Sequence, residues 1–318
     1  MALTTKEKLI VLIGPTAVGK TKTSIHLAKE FNAEIISGDS MQVYKGMDIG
    51  TAKITIEEME GVPHHLIDIK DPKESFSAAE FQLLVRQKIS EIHSRGKMPM
   101  IVGGTGLYIQ SVIYDYQFTD TPGDAEYRCT LEKRVKNEGI GPLYNELLRI
   151  DPSAAKNIHP NNTRRVIRAL EIFHCTGQTM TDYQTCQIDE PLYETALLGL
   201  TMDREKLYGR INKRVDLMVE EGLIEEVQML YHLGVRDVQS VQAIGYKEIY
   251  EYLEGRTSLD RAIEALKQNS RRYAKRQLTW FRNKMDVTWF DMTEEEDYDK
   301  IISRISEFIA GKLERKSN

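Results

Sequence analysis

The sequence lacks any apolar run long enough to cross a bilayer. Apolar segments such as Leu9–Ile13 and Met98–Val102 are far shorter than the roughly 20 residues that a membrane helix needs. The amino terminus also lacks the long apolar core of a secretory signal. We therefore expect a cytoplasmic protein that does not partner with a membrane.

Cysteine is scarce. The three cysteines, Cys129, Cys175 and Cys186, show no Cys-x-x-Cys spacing, and an odd number cannot pair completely within one chain. Free, reduced thiols are the expectation. The histidines do not cluster with acids or cysteines at ligand spacing, so no protein-bound zinc is expected.

A strong excess of positive charge is also absent. The 43 Lys and Arg residues are outnumbered by 48 Asp and Glu residues, which gives a formal net charge of −5. This balance excludes a uniformly basic surface, but it does not exclude local basic patches. A hydrophobic content of 41% and a charged content of 29% over 318 residues are typical of an ordinary globular protein with one large domain or two moderate ones.

Short apolar runs alternate with helical patterns in the first third of the chain, which is typical of a parallel sheet covered by helices. We predict an α/β fold with a P-loop-containing parallel sheet flanked by helices. The predicted strands are Leu9–Ile13, Glu34–Ser37 and Met98–Val102, with His65–Ile69 as a weaker candidate, and the predicted helices are Lys20–Glu30 and Ser77–Arg95.

A helical insertion interrupts this pattern after about residue 115. Leu131–Ile150 and Arg164–Phe173 have helical patterns without an intervening strand, and the apolar run Ala196–Thr201 then resembles a returning core strand. We predict a core domain formed by residues 1–115 and 197–318, which ends in helices, and an insertion domain formed by residues 116–196.

The strongest motif is a phosphate-binding loop between the first strand and the first helix. In such a loop the backbone amides face an anion, Lys20 adds a positive charge and Thr21 can bind Mg²⁺. We predict that this loop grips a diphosphate-containing substrate with Mg²⁺ as cofactor. The same motif serves nucleotide binding in ATP-binding proteins, so a nucleotide in the loop remains open. The loop is Gly14, Pro15, Thr16, Ala17, Val18, Gly19, Lys20 and Thr21.

Two further loops follow predicted strands. Asp39 ends the second strand, which we predict to lie beside the first, and its carboxylate is a candidate general base. The alternative is that Asp39 only caps the following turn. Thr105 lies in the loop Gly103–Gly106 at the same sheet edge and is a candidate substrate contact, although glycine clusters after strands are often only tight turns.

Two basic segments suggest a large polyanion as partner. The segment from Lys267 to Lys284 contains no acidic residue and interleaves aromatic residues with its basic ones, although a charge run is often only a solvated helix face. Helical spacing puts Arg164 and Arg168 on one side of a second basic segment. The basic residues of the first segment are Lys267, Arg271, Arg272, Lys275, Arg276, Arg282 and Lys284.

These residues together resemble one family, the bacterial tRNA dimethylallyltransferases, also called tRNA isopentenyltransferases. The resemblance spans nearly the whole chain. Besides the phosphate-binding loop, it rests on the segments Asp39–Tyr44, Gly46–Lys53, Gly103–Tyr108, Arg164–Glu171, Gln242–Tyr246 and Ala274–Arg282. Position 38 is Gly where Ala is equally expected.

The resemblance implies transfer of a dimethylallyl group from its diphosphate to N6 of the adenosine 3′ to the anticodon, in tRNAs that read codons beginning with U. Lys20 and the loop would hold the departing diphosphate, Thr105 would contact the base, and Asp39 would accept the amine proton. The anticodon arm would be the partner, and we expect a monomer. The implied tRNA-binding residues are Asp39, Ser40, Met41, Gln42 and Thr105 at the extruded base, and Arg128, Arg164, Arg165, Val166, Ile167 and Arg168 on the anticodon arm.

Two other function classes compete with this one. In a small-molecule P-loop kinase, Asp39 would deprotonate a hydroxyl group and the insertion would close over the phosphates. A kinase has no need of the basic aromatic segment. A non-catalytic RNA-binding module would leave the phosphate-binding loop and Asp39 without a role.

Overall fold

The computed structural model describes residues 6–118, 123–185, 190–294 and 297–313 of the chain. It divides into two compact units, Met1–Ile113 with Pro191–Asn318, and Tyr114–Glu190. We call the first the sheet unit and the second the helical unit. Cys186 lies outside the described residues, whereas Cys129 and Cys175 are free thiols.

The sheet unit is built on one parallel sheet, as predicted. The described strands run in the order β3-β2-β4-β1-β5-β6, and every pairing is parallel. The strands are β1 (Lys8–Ile13), β2 (Ala33–Gly38), β3 (His64–His65), β4 (Met98–Gly103), β5 (Glu194–Thr201) and β6 (Thr288–Asp291).

The helices between the strands flank this sheet, and five of the described ones form the helical unit. They are α1 (Lys20–Glu30), α2 (Ile56–Met59), α3 (Ala78–Ser94), α4 (Gly106–Ile113), α5 (Ala125–Glu138), α6 (Gly141–Ile150), α7 (Pro152–Asn157), α8 (Thr163–Thr176), α9 (Met180–Thr185), α10 (Arg204–Glu220), α11 (Leu223–His232), α12 (Tyr246–Leu253), α13 (Leu259–Lys284) and α14 (Tyr298–Leu313). The helical unit comprises α5 to α9.

The core of the sheet unit explains the continuous apolar runs. All residues of Leu9–Ile13 in β1 are fully buried, because a central parallel strand is covered on both faces. The predicted apolar face of α1, with Ile25 and Leu27, packs into the same core as Ile305 and Ile309 of α14. Burial of these side chains fixes both helices against the sheet.

The helical unit has its own apolar core, to which Leu131, Leu143, Leu147, Ala154, Ala155, Ile158, Val166, Ile167, Ala169 and Leu170 contribute. The predicted helix Leu131–Ile150 is two helices, α5 and α6. The break falls at Gly139, whose φ of 78° is a conformation that glycine adopts without steric cost.

The prediction of a weak strand at His65–Ile69 is almost entirely wrong. Only His64 and His65 pair with β2. Leu66 and Asp68 have φ values of 62° and 55°, so the backbone turns out of the extended conformation directly after the pair.

The predicted limit of the insertion at residue 196 falls inside β5. That strand begins at Glu194, which is in register with Lys8 of β1. The first two residues of β5, Glu194 and Thr195, are polar, so the apolar run that marked the strand begins only at Ala196.

Candidate functional site

Three neighbouring strands end at the same level of the sheet. Gly103 of β4 is in register with Ile13 of β1 on one side and with Gly38 of β2 on the other. The loops that follow these strands therefore begin side by side at the carboxyl edge, where open α/β sheets collect ligands. The prediction that the Asp39 strand lies beside the strand of the phosphate-binding loop is wrong, because β4 lies between them.

The predicted phosphate-binding loop joins β1 to α1. Gly19 precedes α1 with a φ of 106°, and no other atom would hinder a side chain there, so its backbone conformation is what requires glycine. Ala17 has a φ of 64°, a left-handed conformation that costs a non-glycine residue free energy. The Lys20 Nζ atom donates hydrogen bonds to the backbone oxygens of Gly14 at 2.9 Å and Pro15 at 2.8 Å.

Asp39 is half-buried directly after β2. Its Oδ1 atom accepts a hydrogen bond from the backbone N–H of Met41 at 2.8 Å, so the carboxylate does cap the following turn. Burial raises the pKa of Asp39, against the opposing effects of that hydrogen bond and of the Lys20 charge. A raised pKa makes a carboxylate a stronger base, so capping and proton acceptance are compatible in one side chain.

Two cations face this carboxylate. Burial and the nearby charge of Arg214 lower the pKa of Lys20 to about 8, against the opposing effect of the Asp39 charge. Arg214 belongs to α10 and is half-buried, and burial lowers the pKa of its guanidinium as well. Within the part of the chain that the structure describes, Arg214 has no hydrogen bond and no ion pair.

Gln277 of α13 connects the two glycine-containing loops. Its Oε1 atom accepts a hydrogen bond from the backbone N–H of Thr16 at 3.1 Å, and its Nε2 atom donates to the backbone oxygen of Gly104 at 3.1 Å. The side chain is 6% exposed, and a Cβ atom on Gly104 would lie 2.0 Å from Nε2. The amide thus spans the phosphate-binding loop and the Gly103–Gly106 loop.

Thr105 lies beside Tyr273, which is one turn before Gln277 on α13. Burial and the Asp39 charge raise the pKa of Tyr273 to about 12, so the phenol remains a hydrogen-bond donor at neutral pH. The Thr105 Oγ1 atom is buried, and among the described residues it has no hydrogen bond of good geometry. A buried hydroxyl group next to Asp39 and Tyr273 is suited to contact a substrate.

Gln42 holds neighbouring parts of the chain by hydrogen bonds. Its Oε1 atom accepts a hydrogen bond from Ser37 Oγ at 2.9 Å, and its Nε2 atom donates to the backbone oxygens of Thr51 and Ala52 at 3.3 and 3.2 Å. These bonds use both N–H donors, so the amide holds the backbone of the following loop. That Gln42 lies beside the extruded base stays a prediction. Ser40 and Met41 are half-buried, and their contact with the base stays a prediction.

The loop Gly46–Lys53, whose backbone Gln42 holds, is also bound by Glu226 of α11. The carboxylate accepts hydrogen bonds from the backbone N–H groups of Asp48, Ile49 and Gly50 at 2.8, 2.8 and 3.0 Å. The Tyr246 hydroxyl donates to the same carboxylate at 2.6 Å. Glu226 thus joins the loop to Tyr246, and the loop and Tyr246 both lie in segments that carry the family resemblance.

The basic segment predicted at Lys267–Lys284 is the C-terminal part of α13. The side chains of Arg272, Lys275 and Arg276 are exposed, and no ion pair to them occurs in the described ranges. Arg282 is also exposed and lies over the Trp289 ring at 5.5 Å. Lys267 and Arg271 differ from this pattern. Lys267 pairs with Asp216 at 2.6 Å, and Arg271 donates to Asn212 Oδ1 at 2.5 Å.

The arginines predicted in the insertion lie in the helical unit. Arg164 and Arg165 on α8 and Arg128 on α5 are exposed, while Arg168 on α8 is half-buried. The inclusion of Val166 and Ile167 among tRNA-binding residues is wrong for their side chains. These are 0% and 5% exposed in the apolar core of the unit, because they face inward on a helix whose arginines face outward.

The described residues hold neither a cluster of metal ligands nor a membrane-spanning helix. No group of three or more His, Cys, Asp or Glu side chains that could hold a metal ion occurs among them. In the same ranges, no helix is both long enough and apolar enough to span a bilayer.

Comparison with known proteins supports the resemblance. The model of the IPP transferase family matches residues 42–284, more than half of the chain. The tRNA dimethylallyltransferase of Bacillus pumilus is 65% identical over 313 residues, which cover 98% of each chain. The chain belongs to the tRNA dimethylallyltransferase family. It is therefore an enzyme of this type, and neither a metabolite kinase nor a non-catalytic module.

Solved structures of the family agree with this assignment. The full-length tRNA isopentenylpyrophosphate transferase from Bacillus halodurans is 62% identical, with a TM-score of 0.75 and coverage of 98% of each chain. A eukaryotic dimethylallyltransferase, captured acting on tRNA, is 33% identical with a TM-score of 0.80, and covers 94% of this chain and 77% of that one.

Sequence reasoning missed three residues of the site: Arg214, Tyr273 and Gln277. Tyr273 and Gln277 are four residues apart between exposed basic residues, a spacing that indicates an inward-facing side of α13. Arg214 belongs to no local motif, and only the packing of α10 brings it to Lys20.

We expect Gln277→Ala to weaken binding of inorganic diphosphate about tenfold, since two buried hydrogen bonds that hold the binding loop are removed. Isothermal titration calorimetry would measure this change. Gln268→Ala, at an exposed position of the same helix, is the matched control and should bind as the unaltered protein does. Equal affinity of all three proteins would show that Gln277 does not position the loop.

Proposed function

We propose that this enzyme transfers a dimethylallyl group from dimethylallyl diphosphate to N6 of the adenosine 3′-adjacent to the anticodon, in tRNAs reading codons that begin with U. The observation that carries the proposal is that a half-buried carboxylate, Asp39, and two half-buried cations, Lys20 and Arg214, lie close enough to shift one another's pKa at the end of the phosphate-binding loop. The cations can stabilise the charge of a departing diphosphate, and the carboxylate can accept the proton of the attacking amine.

In the proposed reaction, the N6 atom attacks C1 of the dimethylallyl group. A C–N bond forms, the C–O bond to the diphosphate breaks, and the diphosphate leaves with the electron pair. Lys20, Arg214 and the backbone N–H groups at the start of α1 stabilise the negative charge that develops on it. The phosphate-binding loop thus holds a leaving group rather than a nucleoside triphosphate.

A Mg²⁺ ion fits the donors present here. Thr21 offers one hydroxyl oxygen at the exposed start of α1, and Mg²⁺ prefers oxygen ligands and often takes most of them from substrate phosphates and water. Thr21 would hold the ion against the diphosphate, where it would supply additional charge neutralisation.

Asp39 is the proposed acceptor of the N6 proton. Its raised pKa increases its basicity, and the hydrogen bond from Met41 fixes its orientation. The hydroxyl groups of Thr105 and Tyr273 border the same position and are suited to orient the base.

The exposed basic side chains are the proposed contacts to the anticodon arm. Those of α13 and of the helical unit suit a phosphodiester backbone, and an adenine must leave its stack to reach the half-buried carboxylate of Asp39. We propose that the enzyme acts as a monomer. A tRNA substrate implies action in the cytoplasm.

The decisive experiment incubates the protein with Mg²⁺, unmodified tRNA and radiolabelled dimethylallyl diphosphate. Label in the tRNA, located by nuclease digestion at the adenosine 3′ to the anticodon, would support the proposal. A parallel reaction contains γ-labelled ATP and candidate metabolites. Phosphate transfer there without label in the tRNA would overturn it.

We expect Asp39→Asn to lower kcat by on the order of 10²–10⁴, because an amide cannot accept the amine proton. Affinity for tRNA, measured by fluorescence anisotropy, should remain. Asp286→Asn, an exposed position beyond α13, is the control for the same chemical change. A rate for Asp39→Asn close to that of the unaltered enzyme would remove Asp39 from the mechanism.

The dependence of kcat/KM on pH should be bell-shaped. Activity rises with pH as Asp39 ionises, and it falls as pH rises through about 8, where Lys20 loses its proton. In Lys20→Arg the guanidinium stays charged, so the alkaline limb should move to higher pH. An alkaline limb that stays in place in this variant would assign it to another group.

We expect the triple substitution of Arg272, Lys275 and Arg276 by Ala to weaken tRNA binding and to reduce the slope of log Kd against log salt, by roughly one for each phosphate that the protein no longer binds. The control removes the same charge from the exposed side chains of Lys300, Arg304 and Lys312 on α14. If both triple variants bind tRNA equally weakly, the effect is one of net charge and not of α13.

A further inference from the structure

A fully buried glutamate lies between two of the arginines of the helical unit. Glu171 of α8 has a side chain that is 1% exposed. Its Oε1 atom accepts a hydrogen bond from Arg128 Nη2 at 2.6 Å, and its Oε2 atom accepts one from Arg168 Nη1 at 2.8 Å. Each carboxylate oxygen thus binds a different guanidinium.

The two guanidinium groups are held at one side and exposed at the other. The side chains of Arg128 and Arg168 are 46% and 43% exposed, in contrast to the glutamate between them. Arg128 comes from α5 and Arg168 from α8, so the single carboxylate brings cations from two helices to a common point. A buried carboxylate requires such partners, because an unpaired charge in the interior is strongly unfavourable.

The backbone at position 123 is fitted to this pair. A Cβ atom on Gly123 would lie 2.8 Å from Arg128 Nη2 and 2.8 Å from Glu171 Oε1. The absence of a side chain there lets the chain pass directly over the ion pair. Three parts of the helical unit, α5, α8 and the segment before α5, therefore meet at Glu171.

We propose that Glu171 is a positioning residue that holds Arg128 and Arg168 as a preorganised pair for phosphate groups of tRNA. The inference rests on the proposed function, which supplies the RNA. Arginine binds phosphate through two parallel N–H groups in a fixed geometry, and a side chain that is already fixed loses less conformational freedom on binding. The exposed Arg164 and Arg165 extend the same helix surface.

If Glu171 acted only through its charge, its removal would change tRNA binding in the opposite direction to the one that positioning predicts, so one variant distinguishes the two. With Glu171 the three side chains carry a net charge of +1, and without its charge they would carry +2. A purely electrostatic contribution would make Glu171→Gln bind the tRNA polyanion more tightly. Positioning would make the same variant bind more weakly, although it is more basic.

The experiment measures the Kd of the full chain for unmodified tRNA by fluorescence anisotropy at several salt concentrations. Glu171→Gln is introduced into the unaltered chain and into the double variant Arg128→Ala/Arg168→Ala. We expect about tenfold weaker binding in the first background and no further weakening in the second, because Glu171 acts only through the two arginines. Tighter or unchanged binding in the first background would overturn the proposal.

Weaker binding in both backgrounds would also overturn it, since that result indicates general damage to the helical unit. Thermal unfolding of each variant checks the fold. Gly123→Ala disturbs the pair without removing a charge and should weaken binding, whereas Gly141→Ala, in the same unit with no atom within 4 Å of the added methyl group, should not. If the unaltered chain binds no tRNA, the proposed function itself fails, and the arginine pair has no RNA partner.

Discussion

The close approach of β2 and β4 at their carboxyl ends is the constraint on which the site depends. A Cβ atom on Gly103 would lie 2.3 Å from the backbone oxygen of Gly38, which no side chain could tolerate. Glycine at position 103 lets the two strands stay paired to their last residues. Asp39 and Thr105 therefore leave the sheet at one level, next to the loop that follows Ile13 of β1. At position 38 itself, a Cβ atom would be 3.2 Å from the nearest atom, so alanine there needs only small shifts.

Helix α13 contributes to the site in two ways at once. On its inward side, Gln277 fixes the loops at the sheet edge by hydrogen bonds, and Tyr273 borders them. Trp280 lies on the same side, and its ring would be 2.2 Å from a Cβ atom on Gly106. Its outward side carries exposed basic residues such as Lys275. In a helix of 26 residues, both sides are parts of one rigid body. The proposed RNA contacts and the proposed diphosphate site therefore share a structural element.

The sequence was sufficient for the parallel α/β fold, because continuous apolar runs such as Leu9–Ile13 are typical of strands that helices cover on both faces. It was also sufficient for the edge of the sheet at which Asp39 and Thr105 emerge. The order of the strands was not predictable locally, since nothing in β1 or β2 indicates that β4 lies between them. Arg214 and Glu171 were missed because tertiary packing makes them significant: Arg214 lies near Lys20 and Asp39, which are distant in sequence, and Glu171 joins its helix neighbour Arg168 to the distant Arg128. Val166 and Ile167 show the opposite error: they stand between arginines in a motif predicted to bind tRNA, but their side chains are buried in the apolar core.

Lys20 satisfies its ammonium group with the backbone oxygens of Gly14 and Pro15, within the loop that it belongs to. These bonds engage two of the three ammonium protons, so an anion that enters the loop must compete with the two carbonyl groups for those two. Binding then becomes in part an exchange of hydrogen bonds rather than a gain of new ones. The loop should then discriminate among anions by shape as well as by charge, and a compact singly charged ion would displace these carbonyl groups poorly where a diphosphate, with several oxygens, can replace both.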